Sequence, residues 1–220
     1  MKNLYNALML KKLLIEKELG FKYIEPIKKF EEKQINLPNT INKLRGITLN
    51  CHLCELSKTR KNVVFGEGNT NADLMFIGEA PGASEDATGK PFVGRAGELL
   101  TKIIENVLHI PRESVYIANI VKCRPPQNRT PTAKEALTCR PYLQKQIELI
   151  KPKLIVALGA TAYHFLSNDD TDISKIRGHL LTDKEYTIIP TYHPSYLLRN
   201  PSAKKEVFED MLKVKSFLHL

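Results

Sequence analysis

Asp73-Leu74-Met75-Phe76-Ile77 runs without a break into Gly78-Glu79-Ala80-Pro81-Gly82. A short continuous apolar run closed by glycine reads as a strand buried on both faces. The polar, glycine- and proline-bearing stretch after it reads as a loop. The same transition recurs along the chain. Residues 115–120 (VYIANI) lead into Val121-Lys122-Cys123-Arg124-Pro125-Pro126, and residues 153–158 (KLIVAL) into Gly159-Ala160-Thr161. Thr187–Thr191 (TIIPT) leads into Tyr192-His193-Pro194-Ser195. Helical patterns alternate with these runs, over residues 97–107, 131–150 (with Thr130 or Thr132 as cap), 161–166 and 202–218. This alternation predicts an α/β fold: a three-layer αβα domain whose mostly parallel, four-stranded central sheet is covered on both faces. In such sheets ligands bind beyond the carboxyl ends of the strands. The unusual loops should therefore gather on one edge.

Outward from that core, residues 1–36 read as a lysine-rich helical extension, with Leu10, Leu13, Leu14 and Ile15 as a weak apolar face. Pro38 and Asn39 mark the break before the main domain, 37–220. Lys and Arg exceed Asp and Glu to give a net charge of +9. This favours polyanionic partners such as nucleic acid, although a merely lysine-rich protein would look the same. The N-terminal apolar run is broken by Lys11, Lys12 and Glu16 and lacks a cleavage site, so no signal peptide is expected. No window is long and apolar enough for a bilayer. A cytoplasmic monomer without membrane contact is expected.

The four cysteines are Cys51, Cys54, Cys123 and Cys139. In a reducing compartment they favour metal binding over disulfides. Cys51 and Cys54 form a CxxC pair, but the second pair lacks that spacing, so a zinc ribbon is not matched. Cys123-Arg124-Pro125 and Cys139-Arg140-Pro141 share a context, and cysteine followed closely by proline occurs at iron–sulfur ligands. Spacing alone supports a metal and leaves iron–sulfur against zinc open.

Taken together, these segments resemble a known family. Gly78-Glu79-Ala80-Pro81-Gly82 with Gly89-Lys90-Pro91-Phe92-Val93-Gly94-Arg95-Ala96-Gly97 is similar to the first motif of the family 4 uracil-DNA glycosylases. Asn119 to Pro126 resembles their second motif, and His193-Pro194-Ser195 their third. The resemblance implies the glycosylase-like fold and a [4Fe–4S] cluster on the four cysteines. It also implies a monofunctional hydrolase that flips deoxyuridine out of single- or double-stranded DNA, cuts the N-glycosidic bond and leaves an abasic site for base-excision repair. Family 5 members lack the glutamate at the place of Glu79. A covalent uracil-trapping relative carries an added basic loop with a nucleophilic histidine, absent from Arg124 to Cys139 here. A non-catalytic or covalent uracil-DNA-binding iron–sulfur protein is the alternative reading.

Within that resemblance, His193 is the candidate donor to uracil O2, where charge develops. Asn119 offers a donor and an acceptor suited to the O4 and N3–H edge. Phe92 is placed to stack on the flipped base. Glu79 and Glu85 are the candidate acids, with Glu85 near the C5 edge and Asp86 a plain exposed neighbour. Gly78, Ala80, Gly82 and Ser195 complete the substrate contacts; Ala80 and Gly82 stand where the family 1 enzymes carry a water-positioning aspartate and a thymine-excluding tyrosine. In Tyr196-Leu197-Leu198-Arg199 an apolar wedge backed by a cation fits the hole left by the base, although the first turn of an inward-packing helix would look the same. Lys90, Arg95, Lys122, Arg124, Arg129 and Arg199 are candidate phosphate contacts, with Arg60 and Lys61 beside them.

Overall fold

The structure is a computed structural model that describes residues 11, 14–20, 37–182 and 186–220. The chain divides between Asn36 and Leu37. In the first unit, residues 14–18 are helical and Leu14, Ile15 and Leu19 are exposed. Leu10 and Leu13 of the expected apolar face lie outside the described residues.

The second unit is built on strands β1 (Glu67–Gly68), β2 (Leu74–Gly78), β3 (Tyr116–Asn119), β4 (Leu154–Leu158), β5 (Leu181–Thr182) and β6 (Thr187–Thr191). Its helices are α1 (Ile41–Leu49), α2 (Ala83–Thr88), α3 (Arg95–Ile103), α4 (Ala133–Ile150), α5 (Ala160–Ser167), α6 (Ile173–Ile176), α7 (Pro194–Arg199) and α8 (Lys204–Leu218). The sheet order is β1-β3-β2-β4-β6-β5. The four central strands are parallel and every residue in them is buried. These are the four expected strands; continuous apolar runs fit a sheet covered on both faces. Two antiparallel edge strands, β1 and β5, extend the sheet beyond that expectation.

Alternate residues of each strand enter opposite layers, as the two-residue period demands. Met75, Ile77, Ala118, Ile155, Ala157 and Ile188 pack with Ala136, Leu143 and Ile147 of α4 and Tyr163 of α5. Leu74, Phe76, Ile117, Leu154, Val156 and Ile189 pack with Leu100 of α3 and Val207, Met211 and Val214 of α8. Thr132 caps α4 by accepting from the Glu135 N–H, while the Glu135 carboxylate accepts from the Thr132 N–H. Helix α3 starts two residues before the expected Gly97 and continues through a π turn, Ile104–Leu108. Among the described residues no helix is long and apolar enough to cross a membrane.

Candidate active site

Parallel pairing carries the ends of β2, β3, β4 and β6 to one edge. Gly78 stands in register with Asn119 across β2 and β3, and Leu158 with Thr191 across β4 and β6. Beyond them lies a cavity of about 210 Å³, lined among others by Glu79, Ala80, Gly82, Glu85, Phe92, Asn119, His193 and Ser195. That volume is below the range of drug-sized pockets and suits a single base. Residues from all three sequence motifs thus meet in one place. Ala96, Pro125, Asn128 and Arg129 also line it. Ala96 and Pro125 belong to the first and second motifs and Arg129 to the expected phosphate contacts, whereas no sequence pattern marks Asn128.

Asn119 is 1% exposed, and its Oδ1 is the one buried side-chain polar atom among the described residues with no hydrogen-bond partner. An unpaired buried acceptor costs about 1–3 kcal/mol, so its presence beside a cavity points to a ligand donor. His193 is held at the start of α7. Its Nδ1 accepts the Ser195 N–H at 3.1 Å and lies 2.8 Å from Ser195 Oγ. Accepting a backbone N–H at Nδ1 places the neutral ring's proton on Nε2. Burial, then the charge of Arg199, lowers the His193 pKa to about 4, against a smaller opposing pull from Glu85. The ring is therefore neutral at pH 7.

Phe92 packs beside His193, with ring centroids 5.7 Å apart. Its backbone is left-handed, with φ of 51°, an uncommon state for an aromatic residue. Two glycines make room for it. A Cβ on Gly97 would lie 1.9 Å from the Phe92 carbonyl oxygen, and one on Gly78 would lie 2.5 Å from Phe92 Cζ and 2.6 Å from Asn119 Oδ1. Gly78→Ala should accordingly displace both the ring and the amide. A misplacement of this size costs on the order of 10²-fold in rate, which single-turnover excision would measure.

The two acids of the first motif have different surroundings. Glu85 Oε1 accepts from the Val93 and Gly94 N–H groups, each at 2.9 Å, and Oε2 from Gly82 N–H at 3.1 Å. It staples the two halves of the motif together. Glu79 lines the cavity, and its carboxylate has no hydrogen bond to the described residues.

Three other expectations, for Asp86, Leu197 and Lys122, are corrected. Asp86 is 2% exposed and accepts from the Lys61 and Asn62 N–H groups, so it is not an exposed neighbour. Leu197 is 1% exposed within the core, since the helical turn rotates it inward and leaves Tyr196 and Leu198 out, each 38% exposed. Lys122 is 1% exposed and unavailable to phosphate. Lys90 and Arg95 are exposed outside the cavity lining, and Lys90 lies 4.0 Å from Glu67. Arg124 Nε donates to Asn128 Oδ1 at 2.7 Å, and Arg199 is exposed at the end of α7.

All four cysteines line a second, small cavity, Cys51 and Cys54 from the turn after α1, Cys123 from the turn after β3 and Cys139 from α4. Among the described residues no group of three His, Cys, Asp or Glu side chains is placed to hold a metal ion. Four cysteines around one cavity fit a [4Fe–4S] cluster and fit zinc as well. Arg60 Nη1 donates to Cys123 Sγ at 3.2 Å. Burial pushes the Cys139 thiol up to about 12 and raises Cys123 as well, against the pull of Lys122 on the first and Arg60 on the second. Two cations thus favour the thiolates that a metal centre requires.

The uracil DNA glycosylase superfamily model matches residues 65–214, which span both motif loops, the sheet and His193. A type-4 uracil-DNA glycosylase of Saccharolobus solfataricus is 50% identical over 76% of this chain and 82% of its own length. One of Thermotoga maritima is 52% identical over 76% of this chain and 89% of its own. The chain belongs to the type-4 uracil-DNA glycosylases. A type-5 uracil-DNA glycosylase of Pyrobaculum aerophilum is less similar, 31% identical over 59% of this chain. In this type-4 glycosylase the three sequence motifs form the walls of one base-sized cavity.

Proposed function

We propose that this uracil-DNA glycosylase binds a flipped deoxyuridine base in the 210 Å³ cavity and hydrolyses its N-glycosidic bond there. The unpaired Oδ1 of Asn119 carries this reading. Uracil presents N3–H and O4 on one edge; Asn119 Oδ1 accepts the first while its Nδ2 donates to the second. Cytosine presents the opposite pattern and would leave both pairs clashing. Phe92 stacks on the ring. His193, with its proton on Nε2, donates toward O2.

As the N1–C1′ bond breaks, its electrons pass to uracil and the sugar becomes an oxocarbenium ion. The His193 donor is then worth more than in the ground state, which is the condition for catalysis. Water adds its oxygen to C1′ and its proton passes on to the departing uracil anion, leaving neutral uracil and an abasic site. Glu79, with its unengaged carboxylate, is the candidate to hold that water; Glu85 positions the loop. Glu79→Gln should slow excision by about 10²-fold, with melting temperature unchanged. Glu85→Gln should lower melting temperature as well, because a neutral amide cannot accept from three N–H groups as strongly. Thermal denaturation beside single-turnover kinetics separates the two.

The four cysteines are proposed to hold a [4Fe–4S] cluster that ties the turn after α1 to β3 and α4. When bound, the cluster supplies a cross-link and no redox step. Excision with the cluster oxidised and reduced should therefore proceed at the same rate. Action as a monomer on single- or double-stranded DNA is part of the same proposal. Cysteines that ligate a cluster rather than pair in disulfides suit the reducing cytoplasm. The decisive assay incubates purified protein with deoxyuridine oligonucleotides and cleaves abasic sites with alkali. Strand breaks confined to uracil are expected; none, with folded protein, would overturn the enzyme reading.

A further inference from the structure

Lys122 is a lysine buried to 1% between the two sites. Its Nζ donates to the Asn119 backbone carbonyl at 2.9 Å and to Gln146 Oε1 at 2.6 Å. Gln146, on α4, spends its Nε2 on the Phe65 carbonyl and the Tyr116 hydroxyl, at 2.9 and 3.1 Å. No carboxylate pairs with the ammonium among the described residues. The groups that face it across the cysteine cavity, which Lys122 lines, are Cys139 and Cys123. An isolated buried ammonium is costly unless a counter-charge and hydrogen bonds offset it. Two neutral acceptors satisfy part of its hydrogen bonding and none of its charge.

We propose that Lys122 is a positioning residue that couples the two sites: it balances the negative charge of the cysteine-held cluster and, through the Asn119 carbonyl, fixes the amide that recognises uracil. The inference rests on the cluster reading above. Its consequence is reciprocal. An intact anionic centre keeps the ammonium in place, and the ammonium keeps the end of β3 in place. Asn119 and Cys123 flank Lys122 on one short turn, so a shift on either side is felt on the other.

The test uses purified holoprotein and two variants, Lys122→Met and Gln146→Glu. The second keeps the lysine but sets a carboxylate against it, drawing its charge away from the cysteines, and it preserves volume should the first fail to fold. Two quantities are read. One is the rate at which a chelator removes iron, followed by the cluster's visible absorbance. The other is the inhibition of excision by free uracil, which reports the Asn119 amide. Both variants should lose iron about tenfold faster and need about tenfold more uracil for half-inhibition, a change of about 1.4 kcal/mol each. Wild-type values for both quantities would overturn the proposal. So would a change in one without the other, because coupling requires both. Wild-type protein lacking iron and sulfide would instead overturn the cluster reading.

Discussion

His193→Ala is expected to lower the single-turnover rate of uracil excision by about 10²–10³-fold, the usual cost of removing one preorganised donor to a developing anion. Affinity for uracil-containing DNA should be nearly unchanged, since the imidazole earns its effect in the transition state. Gel-shift titration beside rate measurement checks this, and equal losses in both would show misfolding or a purely binding role. The same residue sets a pH dependence. Its pKa is lowered to about 4, first by burial and then by Arg199, against about 6.5 in an unfolded chain. The active form has Nδ1 accepting from Ser195 and Nε2 bearing the proton. Below pH 4 Nδ1 gains a proton, the Ser195 N–H loses its acceptor, and the loop that presents the ring is disturbed. Excision should hold steady from pH 8 to 6 and fall through an acid limb near pH 4. Stability follows by linkage. Between pH 4 and 6.5 the unfolded chain binds the proton and the folded one does not, so stability rises with pH across that window. His193→Asn should flatten that part of the stability profile, which denaturant titration at successive pH values would reveal.

The central strands were legible because burial on both faces leaves continuous apolar runs, and DLMFI, YIAN, LIVAL and TIIPT are such runs. The edge strands were not. Glu67-Gly68 and Leu181-Thr182 are two residues long, with at most one apolar side chain each, and only pairing with β3 and β6 makes them strands. The site was legible to the extent that chemistry clusters at strand ends, which brought Asn119, Phe92 and His193 to one cavity. Destinations of single side chains were harder to read. Leu197 and Leu198 are identical neighbours, and helical rotation alone sends one into the core and leaves the other out. Lys122, in a polar stretch of a basic protein, reads as a surface cation. Its burial depends on Gln146, 24 residues away on α4. Glu85 and Asp86 both read as acids available to solvent or substrate, yet backbone N–H groups from separate segments claim them. Local patterns reveal elements; partners brought together only by folding decide what a charged residue does.

Asn119 is where recognition and fold meet most closely, and its replacement should have the larger effect. Asn119→Ala removes both hydrogen bonds to the base edge and leaves uracil N3–H and O4 buried without partners. Sites built around such bonds lose about 10⁴–10⁵ in discrimination when the pairing is denied. Uracil excision should therefore fall by on the order of 10³-fold or more, with little gain on any other base. Asn119→Asp separates shape from polarity, because the side chain keeps its size. An ionised carboxylate has no donor for O4 and repels the uracil anion, so at pH 8, where it is ionised, uracil excision should fall as far as in the alanine variant. Burial at 1% exposure would raise the pKa of a carboxylic acid here. In its protonated form the acid donates from one oxygen and accepts at the other, which matches cytosine's bare N3 and its N4 amine as well as uracil's O4 and N3–H. The aspartate variant is thus expected to gain measurable cytosine excision that grows as pH falls, while the alanine variant gains none. Oligonucleotides with a single uracil or a single cytosine, assayed from pH 5 to 8, would show it. An aspartate variant that retained wild-type uracil excision at pH 8, with the carboxylate ionised, would mean that the unpaired Oδ1 does not face the base, and the assignment of the cavity would fall with it.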